Sequence, residues 1–176
     1  MPAKGAQAAL KGYRLQALYI LWAMLNETNP QMVFQPEGAE DLSIYDDKRL
    51  IKSIQIKAHT SNLSLASFSP QDDGSFFHRC VNHKKTGAQI RVVSFGPIGP
   101  EIVHAWKRPG NERESITSKF HQFGFNNDDI AFFFADLQWH TVQEDDLQGE
   151  ILSFLKDSLI GGDPESAFDL LIYWVY

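Results

Sequence analysis

The chain has 176 residues, of which 43% are hydrophobic and 22% are charged, with one cysteine and a formal net charge of −6. This length and composition are typical of one globular domain, and a single cysteine excludes an internal disulfide and a cysteine-rich zinc site. No apolar run approaches the roughly 18–20 residues of a membrane-spanning helix and no secretory signal begins the chain, so we expect a cytoplasmic protein.

The negative charge is concentrated near the C-terminus. From residue 141 onward eight acidic residues accompany one base, Lys156, whereas the preceding segment has 15 bases and 14 acids. An acidic chain usually disfavours nucleic acid as a partner. Here most of the chain is close to neutral, so the charge neither supports nor excludes such a partner.

The first half of the sequence predicts a helix followed by a β-hairpin. Apolar residues at helical spacing predict a helix over 12–25, which ends before Asn29-Pro30. A strand-like run over 32–35 continues into 42–45, a second run covers 50–57, and the turn 46–49 between them predicts a hairpin. A further helix is predicted around 76–85.

The second half alternates strands and helices. We predict a strand over 90–95, helices over 101–107 and 112–123, a buried strand over the very apolar segment 130–137, and helices over 144–159 and 165–176. This order predicts an α/β domain with a central mixed sheet flanked by helices. We assign 1–160 to this domain, and 161–176 to a helix that leads to a following domain or packs on a partner.

Three polar residues of the predicted hairpin indicate a site. Gln55 and Lys57 alternate with Ile54 and Ile56, so the polar pair shares one face of the strand while the isoleucines enter the core. The hairpin can place Asp41 beside that pair. Most lysines in such a pattern merely flank a strand in solvent, which is the alternative interpretation.

This set of groups suits phosphodiester hydrolysis. Asp41, the Gln55 side chain and the Ile56 carbonyl are oxygen ligands of the kind that Mg²⁺ or Mn²⁺ accepts, and a bound metal activates water. Lys57 could orient or deprotonate that water, or neutralise charge in the transition state. A nearby cation would lower the pKa of this lysine.

Four sequence blocks carry a resemblance to a known family. Asp41 with Gln55-Ile-Lys57 resembles the PD-(D/E)xK nuclease superfamily, in the variant with Gln in the (D/E)xK position. Gly12-Tyr-x-x-Gln16, Pro36-Glu-Gly-Ala-Glu-Asp41 and Ser75-Phe-Phe-His-Arg79 are similar to double-stranded DNA nuclease domains of bacterial antiphage systems. These domains are N-terminal effectors of CD-NTase-associated proteins and of STAND NTPases, and the resemblance covers about residues 10–140.

The resemblance implies a restriction-endonuclease-like three-layer fold and a role for each matched residue. Asp41 would be the central metal ligand, Gln55 a second ligand and Lys57 the catalytic lysine. The first-helix position that holds Glu in many of these enzymes is Gln16 here. Glu37 or Glu40 could then supply the missing charge, and we prefer Glu37.

Basic residues after the hairpin are candidates for binding DNA phosphates. His59 follows Lys57, and Arg79, Lys84 and Lys85 belong to the next predicted helix. Such residues neutralise phosphate charge in nucleic-acid complexes. The alternative is an ordinary solvated helix end.

The expected function is therefore an endonuclease with low sequence specificity that cuts double-stranded DNA. Cutting both strands implies a homo-oligomer, at least a dimer, and the resemblance implies fusion to a sensor or NTPase module beyond this sequence. Two alternatives stay open: a catalytically silent nuclease-like module for oligomerisation or docking, and an RNA-directed nuclease.

Overall fold

The structure is a computed structural model that describes residues 4–58, 61–84, 86–159 and 161–175. Within these residues one five-stranded sheet has the strand order β1-β2-β3-β4-β5. The strands are β1 (Met32–Pro36), β2 (Leu42–Asp46), β3 (Arg49–Lys57), β4 (Gln89–Ser94) and β5 (Leu137–Thr141). β1, β2 and β3 pair antiparallel, whereas β4 is parallel to β3 and β5 is parallel to β4.

Helices cover both faces of this sheet. They are α1 (Lys4–Leu25), α2 (Phe76–Lys84), α3 (Pro100–Lys107), α4 (Asn111–Gln122), α5 (Asn127–Asp136), α6 (Glu144–Ser158) and α7 (Pro164–Trp174), with a 3-10 turn over Leu65–Phe68. One core joins α1, α6 and α7 to one face of the sheet, and a second core joins α2–α5 to the other. The predicted α/β architecture, a mixed sheet between layers of helices, is confirmed.

The alternation of β3 assigns its side chains to the two layers. Ile54 and Ile56 are buried in the core on the α1 side. Gln55 and Lys57 therefore face the opposite layer, where α2 and the 3-10 turn lie. The predicted hairpin of β2 and β3 is confirmed, and it joins Leu42 to Ile54 in register.

The predicted strand over 130–137 is wrong, because most of this segment is helix α5. The Asn126 side chain accepts a hydrogen bond from the Asp129 N–H at 3.0 Å, and the Asp129 carboxylate accepts one from the Asn126 N–H at 3.3 Å, which caps the helix. Ile130, Phe132 and Phe133 are buried while Ala131 is exposed, as on a helix that packs against a core. The strand comes later, as β5, and includes Trp139 and His140.

The run predicted as one strand over 32–45 is two strands. β1 and β2 pair antiparallel from Met32 opposite Asp46 to Pro36 opposite Leu42. Residues 37–41 form the turn between them, which returns the chain to the edge of β3. This turn places Asp41 immediately before β2.

The final helix packs on its own chain. α7 contacts α1 and α6, with Phe168 and Val175 buried in the core on that side. Leu170, Tyr173 and Trp174 of the same helix are exposed. None of the helices in the described residues is long and apolar enough to cross a membrane.

Candidate active site at the ends of β2 and β3

The turn that carries Asp41 is held by backbone and serine contacts. The Glu37 N–H donates to the Asp41 carbonyl at 3.0 Å, and the Ala39 N–H donates to Ser43 Oγ at 3.1 Å. Gly38 is required here, because a Cβ at this position would lie 2.8 Å from Ser43 Oγ. Glu37 itself has φ of 51°, in the left-handed region, and its side chain is exposed.

Two hydrogen bonds connect the Asp41 carboxylate to the C-terminal end of β3. Gln55 Nε2 donates a hydrogen bond to Asp41 Oδ2, and the Ile56 N–H donates to the same oxygen at 2.5 Å. The pairing of Leu42 with Ile54 explains the contact, since the residue before Leu42 then lies beside the residues after Ile54. The structure thus brings together two of the predicted site residues and the backbone of the third.

Burial shifts the pKa values of both ionisable groups in this cluster. Desolvation raises the pKa of Asp41 above its ordinary value, although the hydrogen bonds from Ile56 and Gln55 and the charges of Lys57 and Arg79 act in the opposite direction. Desolvation lowers the pKa of Lys57, although the negative charges of Asp41 and Glu40 act to raise it. A half-buried lysine with a lowered pKa is a feature of functional sites as well as of structural ones.

An aromatic ring supports Lys57 from the 3-10 turn. Lys57 Nζ lies 4.8 Å from the centre of the Phe68 ring, which is itself 4% exposed. Such contact between an ammonium group and a ring face is attractive and limits the directions that the side chain can take. Phe68 was not among the predicted site residues, because it lies in a polar loop with no periodic pattern.

The residue before Asp41, Glu40, forms a partly buried ion pair. Arg79 on α2 donates from Nε and Nη2 to the two carboxylate oxygens of Glu40, at 2.7 and 2.8 Å, and from Nη1 to the Gly74 carbonyl. The Glu40 side chain is 1% exposed and the Arg79 side chain 41%. Arg79 therefore presents a partly exposed, fixed guanidinium whose charge acts on both Asp41 and Lys57.

A histidine adjoins the same pair. His83 Nε2 lies 4.0 Å from Glu40 Oε1 and, within the described residues, has no hydrogen-bond partner although the atom is buried. Desolvation lowers the pKa of His83, more than the Glu40 charge raises it. Glu40 thus faces two basic side chains from α2.

The remaining predicted residues are dispersed. The Glu37 side chain is exposed on the turn, whereas Glu40 is the buried acid whose charge reaches Lys57. Gln16 is half-buried on α1. Lys84 is the last residue of α2, and His59 and Lys85 lie outside the described residues.

The donors around Asp41 are compatible with a hard divalent cation held partly by the protein. In an extended strand the N–H and C=O of one residue point to the same side, so the Ile56 carbonyl points to the same edge of β3 as the N–H that Asp41 accepts from. Gln55 now presents its amide nitrogen to Asp41, and a rotation of that amide would present its oxygen instead. Nowhere in the described part of the chain do three His, Cys, Asp or Glu side chains converge, so water and substrate phosphate would complete the shell, as is usual for Mg²⁺.

Comparisons with known proteins leave the family open. No protein-family model matches the chain, and neither the curated proteins nor the solved structures include a match.

Proposed function

We propose that the chain is a metal-dependent endonuclease domain that hydrolyses phosphodiester bonds of double-stranded DNA with low sequence specificity. The observation that carries this proposal is the Asp41 carboxylate, joined to Gln55 and the Ile56 backbone at the strand end where the half-buried Lys57 lies. A carboxylate, an amide and a desolvated ammonium at one strand end are the groups that metal-assisted hydrolysis needs.

Asp41, with the Gln55 amide oxygen and the Ile56 carbonyl, would hold Mg²⁺ or Mn²⁺. When bound, the metal polarises the phosphoryl oxygen and lowers the pKa of its water. Lys57 holds the attacking water or takes its proton, which its lowered pKa favours. Arg79 binds a non-bridging phosphate oxygen with the part of its guanidinium that Glu40 leaves exposed.

The partners follow from this chemistry and from the resemblance. Double-stranded DNA is the substrate, and cutting both strands requires two active sites, so the working form is a homo-oligomer. Activity would be controlled by a fused sensor or NTPase module in an antiphage defence protein of the cytoplasm.

A second candidate is a docking module without catalysis. The exposed apolar side chains Leu170, Tyr173 and Trp174 of α7 favour it, since exposed apolar patches often bind other proteins. On this hypothesis the Asp41 cluster would be a structural remnant. An RNA-directed nuclease is the third candidate and uses the same residues.

The test is cleavage of supercoiled plasmid with Mg²⁺, with Mn²⁺ and with EDTA, by the wild type and by Asp41→Asn. Asp46→Asn is the matched control, because Asp46 is an exposed aspartate at the other end of β2. We expect metal-dependent nicking that Asp41→Asn abolishes and Asp46→Asn retains. No nicking by either the dilute or a chemically dimerised protein would reject the nuclease and favour docking, and cleavage of RNA alone would favour the third candidate.

A further inference from the structure

An aromatic cleft of about 670 Å³ lies along β5 and extends past the carboxyl ends of β4 and β5. We call it the indole cleft, and its main lining residues are Ile98, Val103, Trp106, Lys107, Trp139 and Thr141. Its volume is within the usual range of ligand sites.

The indole cleft and the Asp41 site occupy the same face and the same end of the sheet. Gln55 pairs with Val92, which pairs with Trp139. Two strand spacings separate Gln55 from Trp139, which is about 10 Å. The next row of the sheet likewise joins Lys57 to Thr141 through β4.

Phe68 lies between Lys57 of the Asp41 site and Trp139 of the indole cleft. Its ring lies 4.8 Å from Lys57 Nζ on one side and 5.7 Å, centre to centre, from the Trp139 ring on the other. A strand of stacked nucleotides advances about 3.4 Å per residue. A polynucleotide with a phosphate at Asp41 and Lys57 can therefore bring a base two or three nucleotides away to the indole cleft.

The groups of the cleft suit a flat aromatic ring that is attached to an anion. Trp106 and Trp139 pack edge to face with their ring centres 5.0 Å apart. Trp106 Nε1 donates to the Phe133 carbonyl at 2.9 Å, whereas Trp139 Nε1 is buried and has no acceptor among the described residues. Lys107 adds a cation to the lining. Nucleobases combine an aromatic face with ring and carbonyl acceptors and are attached to phosphate.

A second cleft provides a contrast. It has a volume of about 710 Å³ and lies at the amino ends of β4 and β5, with Ala131, Asp128 and Asp136 in its lining. Its two carboxylates disfavour a phosphate chain. It also lies at the opposite end of the sheet from Lys57.

We propose that the indole cleft binds an unpaired base of the strand whose phosphodiester is held at Asp41 and Lys57. This inference rests on the proposed nuclease function and narrows its substrate. A base inside a duplex is stacked and paired, so it enters such a cleft only from a single strand, an overhang or a locally opened site. The domain then prefers DNA that carries unpaired nucleotides.

The test measures binding in EDTA, so that it does not depend on cleavage. A short labelled single strand is compared by fluorescence anisotropy with an abasic strand of equal length and charge and with the same sequence as a duplex. Val103→Phe fills the indole cleft, and Ala131→Phe fills the opposite cleft as a matched control. Trp139→Leu is a second variant, and melting curves check that each protein is folded.

We expect the wild type to bind the strand with bases at least about tenfold more tightly than the abasic strand, as stacking on an indole provides. Val103→Phe and Trp139→Leu remove that difference, and Ala131→Phe retains it. Equal binding of the two strands by the wild type, or discrimination that survives in Val103→Phe, overturns the inference. Either result says nothing about plasmid cleavage, so the proposed nuclease function would stand. If the wild type distinguishes the two strands but cleaves no plasmid, the nuclease function is rejected and the cleft remains a base-binding site.

Discussion

Replacing Arg79 by methionine is expected to destabilise the fold far more than removing an exposed arginine. Arg79 makes two hydrogen bonds to Glu40, at 2.7 and 2.8 Å, and the Glu40 side chain is 1% exposed. Without the guanidinium, the buried carboxylate keeps His83, at 4.0 Å, and the more weakly coupled Lys57 as basic neighbours, and within the described residues neither donates a hydrogen bond to it. The residue before Asp41 would then be released from α2.

The magnitude follows from the burial of the two partners. Removing one partner of a fully buried ion pair costs about 3–5 kcal/mol. Arg79 is 41% exposed, so water already screens part of this pair, and we expect a loss of about 2–3 kcal/mol. In a chain of this size that loss lowers the melting temperature by about 4–12 °C.

Urea unfolding followed by circular dichroism measures this loss directly. The matched control is Arg14→Met, which removes an ion pair with Glu144 whose side chains are 46% and 30% exposed. Exposed pairs contribute at most about 1 kcal/mol. A loss for Arg79→Met no larger than that for Arg14→Met would refute the argument. Additive effects of Arg79→Met and Glu40→Gln in a double-mutant cycle would also refute it.

Three further outcomes are expected. Burial raises the pKa of Asp41 above 3.8, so the ionised carboxylate destabilises the fold at neutral pH. Asp41→Asn should therefore melt at a higher temperature than the wild type at pH 7, and this difference should disappear as the pH falls to 3.8 and the wild-type carboxylate becomes protonated. A lower melting temperature of Asp41→Asn at pH 7 would contradict the expected direction. Phe77→Ala should cost about 3–5 kcal/mol in urea unfolding, because this fully buried ring touches several others, whereas the exposed Phe154→Ala should change little; similar losses would contradict this. Asn126→Ala should cost about 1 kcal/mol by removing the cap of α5, and an unchanged midpoint would show that the cap contributes nothing.

Local signals in the sequence account for most of the fold. The hairpin of β2 and β3 follows from two apolar runs around a polar turn, and α2, α3, α4 and α6 lie within a few residues of their predicted bounds. The prediction of a strand over 130–137 was wrong because it relied on the apolar content of the segment and not on the helix-capping residues before it. Asn126 and Asp129 stand three residues apart before the apolar run, which is the spacing of a helix N-terminus.

The candidate site was predictable only where it depends on the hairpin. Gln55 and Lys57 share a face by alternation, and the hairpin register brings Asp41 to Gln55. The pairing of Glu40 with Arg79 joins residues 39 positions apart. No periodicity indicates such a contact, because it depends on how α2 packs against the sheet.

The indole cleft could not be predicted from the sequence either. Trp106 and Trp139 come from α3 and β5 and meet only in the folded chain. In the sequence Trp139 is an ordinary core residue beside an apolar run. Its place in the same row of the sheet as Gln55 follows from the parallel pairing of β3, β4 and β5.

The most direct test of the central claim compares two lysines of β3. Lys57 lies at the Asp41 site, whereas Lys52 is also half-buried with a pKa lowered by burial, but its side chain points to the other face. The initial rate of Mg²⁺-dependent plasmid nicking should fall at least about 100-fold in Lys57→Met, the usual contribution of a proton-transfer group. Lys52→Met should retain the wild-type rate. Nicking by Lys57→Met at the rate of Lys52→Met would contradict the assignment of the site.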